Sequence, residues 1–258
     1  FAKKDMKGKE YFKGDGTIPW WVTSVSIFAT LLSPISFLSL AGNSYAGTWI
    51  MWFAQLGMLI AIPLAIRFFL PVYAKLDIDT AYHYLELRFG SKALRILGAV
   101  MFIVYQIGRM SIIMYLPCMV LASLTGISVN LLILVMGVIA IIYSYTGGLK
   151  SVLWTDFIQG TVLIVGIVFA LIFLLCTIDG GFGAVWNALT AEHKFLMPDQ
   201  PIFDANILRD SVFLMIVGAG LNTLGSYVSS QDIVQRFTTT TDTKQLNKMM
   251  RGNGLLSI

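Results

Sequence analysis

Arg109, Asp156 and Pro34 lie inside apolar runs of this chain, where each demands an explanation. Arg109 lies about 16 residues into its run, roughly 24 Å at 1.5 Å per residue, too deep to reach water from that end. A planar guanidinium held there suits a carboxylate, either one within the protein as a structural ion pair or one belonging to a ligand. Asp156, in Trp154-Thr155-Asp156-Phe157-Ile158-Gln159-Gly160, is the acidic residue of the apolar runs. It either caps a helix N-terminus or binds a cation with Thr155 or Gln159 beside it. Gln55 places an uncharged donor and acceptor midway along another run, open to a structural or a ligand-binding use.

Pro34 is set among Ser24, Ser26, Thr30, Ser33, Ser36 and Ser39. A proline in a helix removes one backbone donor and leaves a carbonyl near Thr30 without its partner. The segment is then either a packed kink with hydroxyls bonded back to the helix, or a discontinuous helix whose carbonyls coordinate a cation in mid-membrane. A second weak point is the run Gly218-Ala219-Gly220-Leu221-Asn222-Thr223-Leu224-Gly225. Close packing of small residues accounts for it, and a second broken helix would make it the symmetry mate of the first.

The elements that must position these residues are membrane spans. Of 258 residues, 57% are hydrophobic and 12% charged, whereas soluble domains carry about 25% charge. A soluble fold is thereby excluded. Six segments are long and apolar enough to cross a bilayer as helices: residues 20–42, 48–73, 93–124, 129–145, 153–178 and 211–228. Connections alternate sharply in basic content. Lys3, Lys4, Lys7, Lys9, Lys13, Lys75, Arg88, Lys92, Arg95, Lys150, Arg236, Lys244, Lys248 and Arg251 fall on one side, fourteen of the eighteen Lys and Arg. The opposite connections hold only Lys194 and Arg209, so the N-terminal segment is expected in the cytoplasm. The net charge of +4 thus reflects topology, and no nucleic acid or other polyanionic partner is expected.

Two connections carry amphipathic pieces. Thr80 can cap a short helix through Leu87, closed by Gly90, with Tyr82, His83, Leu85 and Glu86 divided between lipid surface and water. Residues 180–195 form a similar piece on the outer side, with Trp186 as an anchor and His193 solvated. Thr238 to Asp242 reads as a loop with a helix cap. Cys118 and Cys176 lie in apolar runs away from any CxxC or His pair and read as small core residues. Leu255-Leu256-Ser257-Ile258 resembles the start of a further apolar run, so the expectation is a fragment of a longer chain. The expected organisation is an N-terminal cytoplasmic segment (1–19), five spans (20–178), an outer loop with an amphipathic helix (179–210), and a sixth span, cytoplasmic loop and start of a seventh (211–258).

The motifs resemble those of the sodium:solute symporter family. Glu10-Tyr11-Phe12-Lys13-Gly14 with Ile18-Pro19-Trp20-Trp21 is similar to the entry into its first core helix, and Phe28-Ala29-Thr30-Leu31-Leu32-Ser33 to the broken segment. Tyr145-Thr146-Gly147-Gly148-Leu149 with Trp154-Thr155-Asp156, and Ser230-Gln231-Asp232-Ile233-Val234-Gln235-Arg236, resemble two further signatures. The resemblance implies an all-α polytopic membrane protein of the inverted-repeat, leucine-transporter type, here the first five-helix repeat plus the first helix of the second. Gln106-Ile107-Gly108-Arg109 and Gln55 draw it nearest to the branch of bacterial sodium/sialic acid symporters. Carried over, Ser33, Ser36, Gln55 and Arg109 would bind substrate, the Ala29 and Leu32 carbonyls the main sodium ion, and Asp156 a second. Leu31, Pro34 and Met51 depart from that branch's pattern.

The implied function is sodium-coupled import of an anionic sugar acid, sialic acid, across the inner membrane, with Na+ as the coupling ion, no cofactor, and the bilayer as surroundings. The alternatives are symport of a neutral sugar, proline or small monocarboxylate, and a solute sensor built on a symporter-like domain. No His, Cys or carboxylate pair at catalytic spacing lies in the spans, so an enzyme is not expected.

Overall fold

The computed structural model describes residues 11, 17–76, 80–195, 201–204, 211–240 and 242–257. Lys3, Lys4, Lys7, Lys9, Lys13 and Arg209, which entered the charge argument, lie outside the described residues, as do Glu10, Phe12 and Gly14 of the first motif.

The serine-rich first segment is a discontinuous helix and not a kinked one. Helix α1 (Trp20–Leu31) ends where Leu32 and Ser33 turn extended, and α2 (Pro34–Ala46) restarts. Proline at the first helical position loses nothing, because that N–H has no partner in any helix. The Ser33 hydroxyl accepts from the Ser36 N–H at 3.1 Å and so caps the new helix.

Helix α3 (Ile50–Tyr73) crosses next, with a 3-10 turn at Ala54–Gly57 and a π turn at Ala65–Phe69. After it come α4 (His83–Phe89) and α5 (Lys92–Thr125). Helix α6 (Val129–Thr177) has 49 residues, about 73 Å of helix against a hydrocarbon layer of about 30 Å. It is thus the fourth and fifth expected spans in one. The loop expected between them does not exist: the chain turns at a single residue, Gly148, with φ 57° and ψ −162°. A side chain there would also meet the Tyr11 ring 2.8 Å away. Tyr11 donates to the Tyr145 carbonyl at 2.9 Å, satisfying a helix end that the turn exposes.

Helix α7 (Gly181–Ala191) leads to α8 (Val212–Ser229). The glycine run of α8 stays helical, and at Gly220 it allows close approach to α3. A Cβ on Gly57 would lie 2.5 Å from the Gly220 nitrogen and 2.6 Å from the Ile216 carbonyl. Gly57→Val is therefore expected to cost upwards of about 3 kcal/mol through overpacking, read as lost thermal stability in detergent. The second break lies further on, at Ser230, after which α9 (Gln231–Phe237) and α10 (Thr243–Ser257) follow.

Four expectations need correcting here. Arg236 does not sit in an exposed tail: it is 6% exposed, on a helix whose Ile233, Val234 and Phe237 are also buried. The last segment is not a loop opening into an apolar span. It is α10 from Thr243 onward, started by Asp242 Oδ1 accepting from the Lys244 N–H, with Leu246, Met249, Met250 and Asn253 buried at helical spacing. The Thr80 to Leu87 piece does not simply divide between lipid surface and water. Thr80 does cap it and Gly90 does close it in the left-handed region, but it is docked onto α5 and α8, with Tyr82 against Gly98. Cys118 is buried as expected, whereas Cys176 is exposed on the outer surface of α6.

The core forms where α1, α3, α8, α9 and α10 meet, around Ile27, Met58, Ala61, Tyr227, Ile233 and Met250. The outward faces of α5 and α6, including Ile103, Val104, Ile141 and Phe169, are exposed and apolar. Among the described residues four helices are long and apolar enough to cross a membrane, and the discontinuous α1–α2 pair adds half-helices. The chain is a multi-pass membrane protein.

Candidate functional site between two helix breaks

Both breaks open onto the same charged side chains. With the helix broken at Leu32 and Ser33, the Thr30 carbonyl has lost its helical partner, and Arg109 supplies one: its Nη2 donates to that oxygen at 3.4 Å. Arg109 Nη1 donates to Asp232 Oδ2 at 3.1 Å, two residues past the second break. The arginine thus does face a carboxylate, here one of the protein's own. Side-chain exposures of 27% and 18% leave the pair half-buried and reachable from an open space.

Asp156 belongs to a second pair. Arg236 Nη2 donates to Asp156 Oδ2 at 2.6 Å, and the Ser26 hydroxyl donates to the same oxygen at 2.7 Å. Arg236 Nε donates to Ser26 at 2.8 Å, and its Nη1 to the backbone carbonyl of Asp232. Asp156 is mid-helix in α6, so it is not an N-terminal cap. One turn along, Gly160 lets α1 approach, where a Cβ would meet Val25 at 2.8 Å and Ala29 at 3.3 Å.

At the first break, Leu32 N–H still donates to the Phe28 carbonyl. The Ala29 and Leu32 carbonyls receive no hydrogen bond among the described residues: Ser33 N–H does not reach Ala29, and Ser36 N–H is turned to Ser33 Oγ. The Ala29 carbonyl thus opens at α1's end, where Ala29 lies against Gly160 of Asp156's helix. Ser33 and Ser36 hydroxyls lie 3.0 Å apart. Gln55 is half-buried in the 3-10 turn of α3, with its amide unbonded among the described residues. The structure joins Arg109 to the first break and Asp156 to α1, while no hydrogen bond links Ser33, Ser36 or Gln55 to Arg109.

The second break is held from the α3–α5 connection. Tyr73 donates to the Val228 carbonyl, Tyr82 to the Ser229 carbonyl at 3.2 Å, and Ala81 N–H to Gln231 Oε1 at 2.7 Å. Burial, with Asp232 adding to it, pushes Tyr82 up to about 12, so it remains a donor throughout the physiological range. An open groove of about 590 Å³ runs between α5 and α8 to this break, lined by Phe102, Tyr105, Asn222, Ser226 and Ser230. Tyr105 is one turn before Arg109.

Asp232 and Arg236, which the structure pairs with Arg109 and Asp156, were not among the expected site residues. Their signal is the i, i+4 spacing of opposite charges across Ile233, Val234 and Phe237, which reads as a short amphipathic helix.

Two discontinuous helices that meet around intramembrane charges, with unpaired backbone confined to the protein interior, are the construction of an inverted-repeat secondary transporter. The sodium:solute symporter family profile matches residues 11–256. The sodium/sialic acid symporter SiaT of Proteus mirabilis is 32% identical over 256 residues, 99% of this chain and 51% of that protein. The sodium/sialic acid symporter NanT of Aliivibrio fischeri is 31% identical over 256 residues, 99% of this chain and 50% of that protein. A solved structure of a Na+-coupled sialic acid symporter, substrate-bound and outward-open, superimposes with a TM-score of 0.87 at 31% identity, covering all of this chain and 53% of that one. The chain belongs to the sodium:solute symporter family. It spans about half the length of these relatives.

Proposed function

We propose that the protein is a sodium-coupled importer of sialic acid, multi-pass in the inner membrane with its N-terminal segment in the cytoplasm. The observation that carries this reading is Arg109, a cation at the junction of both helix breaks whose fork already engages a carboxylate. A substrate carboxylate takes the position of the Asp232 carboxylate, and Ser33, Ser36 and Gln55 offer hydroxyl and amide partners to the sugar. The open Ala29 and Leu32 carbonyls suit a hard cation, which prefers oxygen ligands. Asp156, with its carboxylate on the same interface, serves a second sodium ion. Two sodium ions with a monoanion carry net positive charge inward, so the membrane potential contributes about 2.3 kcal/mol per net charge per 100 mV. The relatives SiaT and NanT bear on the substrate, since both are sodium/sialic acid symporters.

A thermal-shift panel tests the reading on the intact protein. N-acetylneuraminate with sodium chloride is expected to raise the unfolding temperature well beyond either alone, while glucose and proline leave it unmoved. A shift by a neutral solute, or one by N-acetylneuraminate that is the same in choline chloride, contradicts it.

A further inference from the structure

The two ion pairs of the site are not independent, because one partner of each comes from the same seven-residue helix. Asp232, which occupies Arg109, and Arg236, which occupies Asp156, are one turn apart on α9. Resting on the function proposed above, we infer that α9 is a counter-ion exchanger that couples sodium binding to anion binding. A substrate carboxylate arriving at Arg109 displaces Asp232 and leaves an unpaired negative charge inside the protein. A sodium ion arriving at Asp156 displaces Arg236 and leaves an unpaired positive one. Each event alone is opposed, since an unpaired charge away from bulk water is costly.

When both ligands bind, the two displaced side chains have each other. An acidic residue one turn before a basic one is the favourable order for a helical ion pair. Little movement is needed: Arg236 already lies along its preceding turn, with Nη1 donating to the Asp232 carbonyl. The rest of α9 stays fixed, because Ile233 and Phe237 are buried in the core. The exchange is thus a swap of side-chain partners on a stationary helix, and the coupling it produces is reciprocal, as any linkage between two sites must be. Asp232 and Arg236 act through Arg109 and Asp156 and are positioning residues.

The experiment is calorimetric titration of N-acetylneuraminate into the intact protein, in choline chloride and in saturating sodium chloride. In D232N, Arg109 loses its internal rival, so sodium-free affinity is expected to tighten about tenfold and the sodium-dependent gain in affinity to shrink by the same factor, within the usual range of coupling. D232E keeps the carboxylate and is expected to restore the wild-type gain. The methyl ester of N-acetylneuraminate carries no carboxylate and is expected to bind D232N and wild type alike. Independently, R236Q removes the rival for Asp156, so half-saturating sodium is expected to fall about tenfold by the same linkage. A D232N protein with weakened sodium-free affinity or an unchanged gain, or an R236Q protein with unchanged or raised half-saturating sodium, overturns the exchange alone. Wild-type protein that binds no N-acetylneuraminate in either salt overturns the functional reading, and the exchange with it.

Discussion

Replacing Arg109 with alanine is expected to lower the affinity for N-acetylneuraminate by about a hundredfold or more. A charge-assisted contact to a guanidinium contributes up to about 3 kcal/mol, and a factor of ten in affinity corresponds to about 1.4 kcal/mol. The loss has two parts. The substrate carboxylate has no counter-charge, and Asp232, 18% exposed at its side chain and no longer neutralised by Arg109, repels it. Arg109→Lys separates charge from shape: a point charge without the fork cannot hold the Thr30 carbonyl and a carboxylate together. It is expected to lie between wild type and alanine, about tenfold weaker than wild type. Titration of each variant at saturating sodium measures both. Alanine with wild-type affinity would mean that the carboxylate binds elsewhere.

The second large effect concerns stability. Asp156→Ala strands Arg236, whose side chain is 8% exposed and makes its remaining bonds to Ser26 and a backbone carbonyl. Breaking a buried pair by removing one partner costs about 3–5 kcal/mol, because the other charge stays buried without compensation. The double variant Asp156→Ala/Arg236→Ala removes the stranded charge and is expected to recover most of that loss. Thermal unfolding in detergent without sodium gives the three values for the cycle. If the double variant is as unstable as the sum of the singles, the pair has no coupling and Arg236 is held by other contacts. In sodium the double variant is further expected to lack the stabilisation that wild type gains from ion binding at Asp156.

Much of this architecture was legible in residue types alone. Apolar runs of 20 residues have one solution in a bilayer, so the spans could be placed. The consequence of Pro34 at the Thr30 carbonyl follows from a missing N–H, and Arg109 had to find an anion because its depth forbade solvent. Other features were illegible for physical reasons. Gly147-Gly148 looks like a loop, yet one residue in the left-handed region turns α6 without any loop. Residues 231–237 look like a charged tail, because charge reads as exposure unless its partner is known. Arg236 is neutralised by Asp156, 80 positions earlier, and no local pattern reveals such a pairing. Helix α10 is polar by composition but still buries Leu246, Met249, Met250 and Asn253, a stripe of helical period that outweighs the average. The docking of Tyr82 onto Ser229 was likewise hidden, since an amphipathic helix covers protein as readily as lipid.

The geometry also connects the site to movement. Each broken helix has part of its free backbone satisfied by a side chain from elsewhere: Thr30 by Arg109, and Val228 and Ser229 by Tyr73 and Tyr82. The joints between half-helices are therefore where ligand binding and packing meet, and Arg109 touches one joint directly and the other through Asp232. In the proposed cycle, sodium and substrate act on these joints and the loaded helices rock between outward and inward states.

Uptake of radiolabelled N-acetylneuraminate into proteoliposomes containing the intact protein, driven by an imposed inward sodium gradient, tests the central claim most directly. Accumulation above equilibrium that collapses when sodium is replaced by choline, rises with an inside-negative potential and is absent from the Arg109→Ala protein is the predicted result. Uptake indifferent to sodium, or an Arg109→Ala protein that accumulates substrate as wild type does, would contradict it.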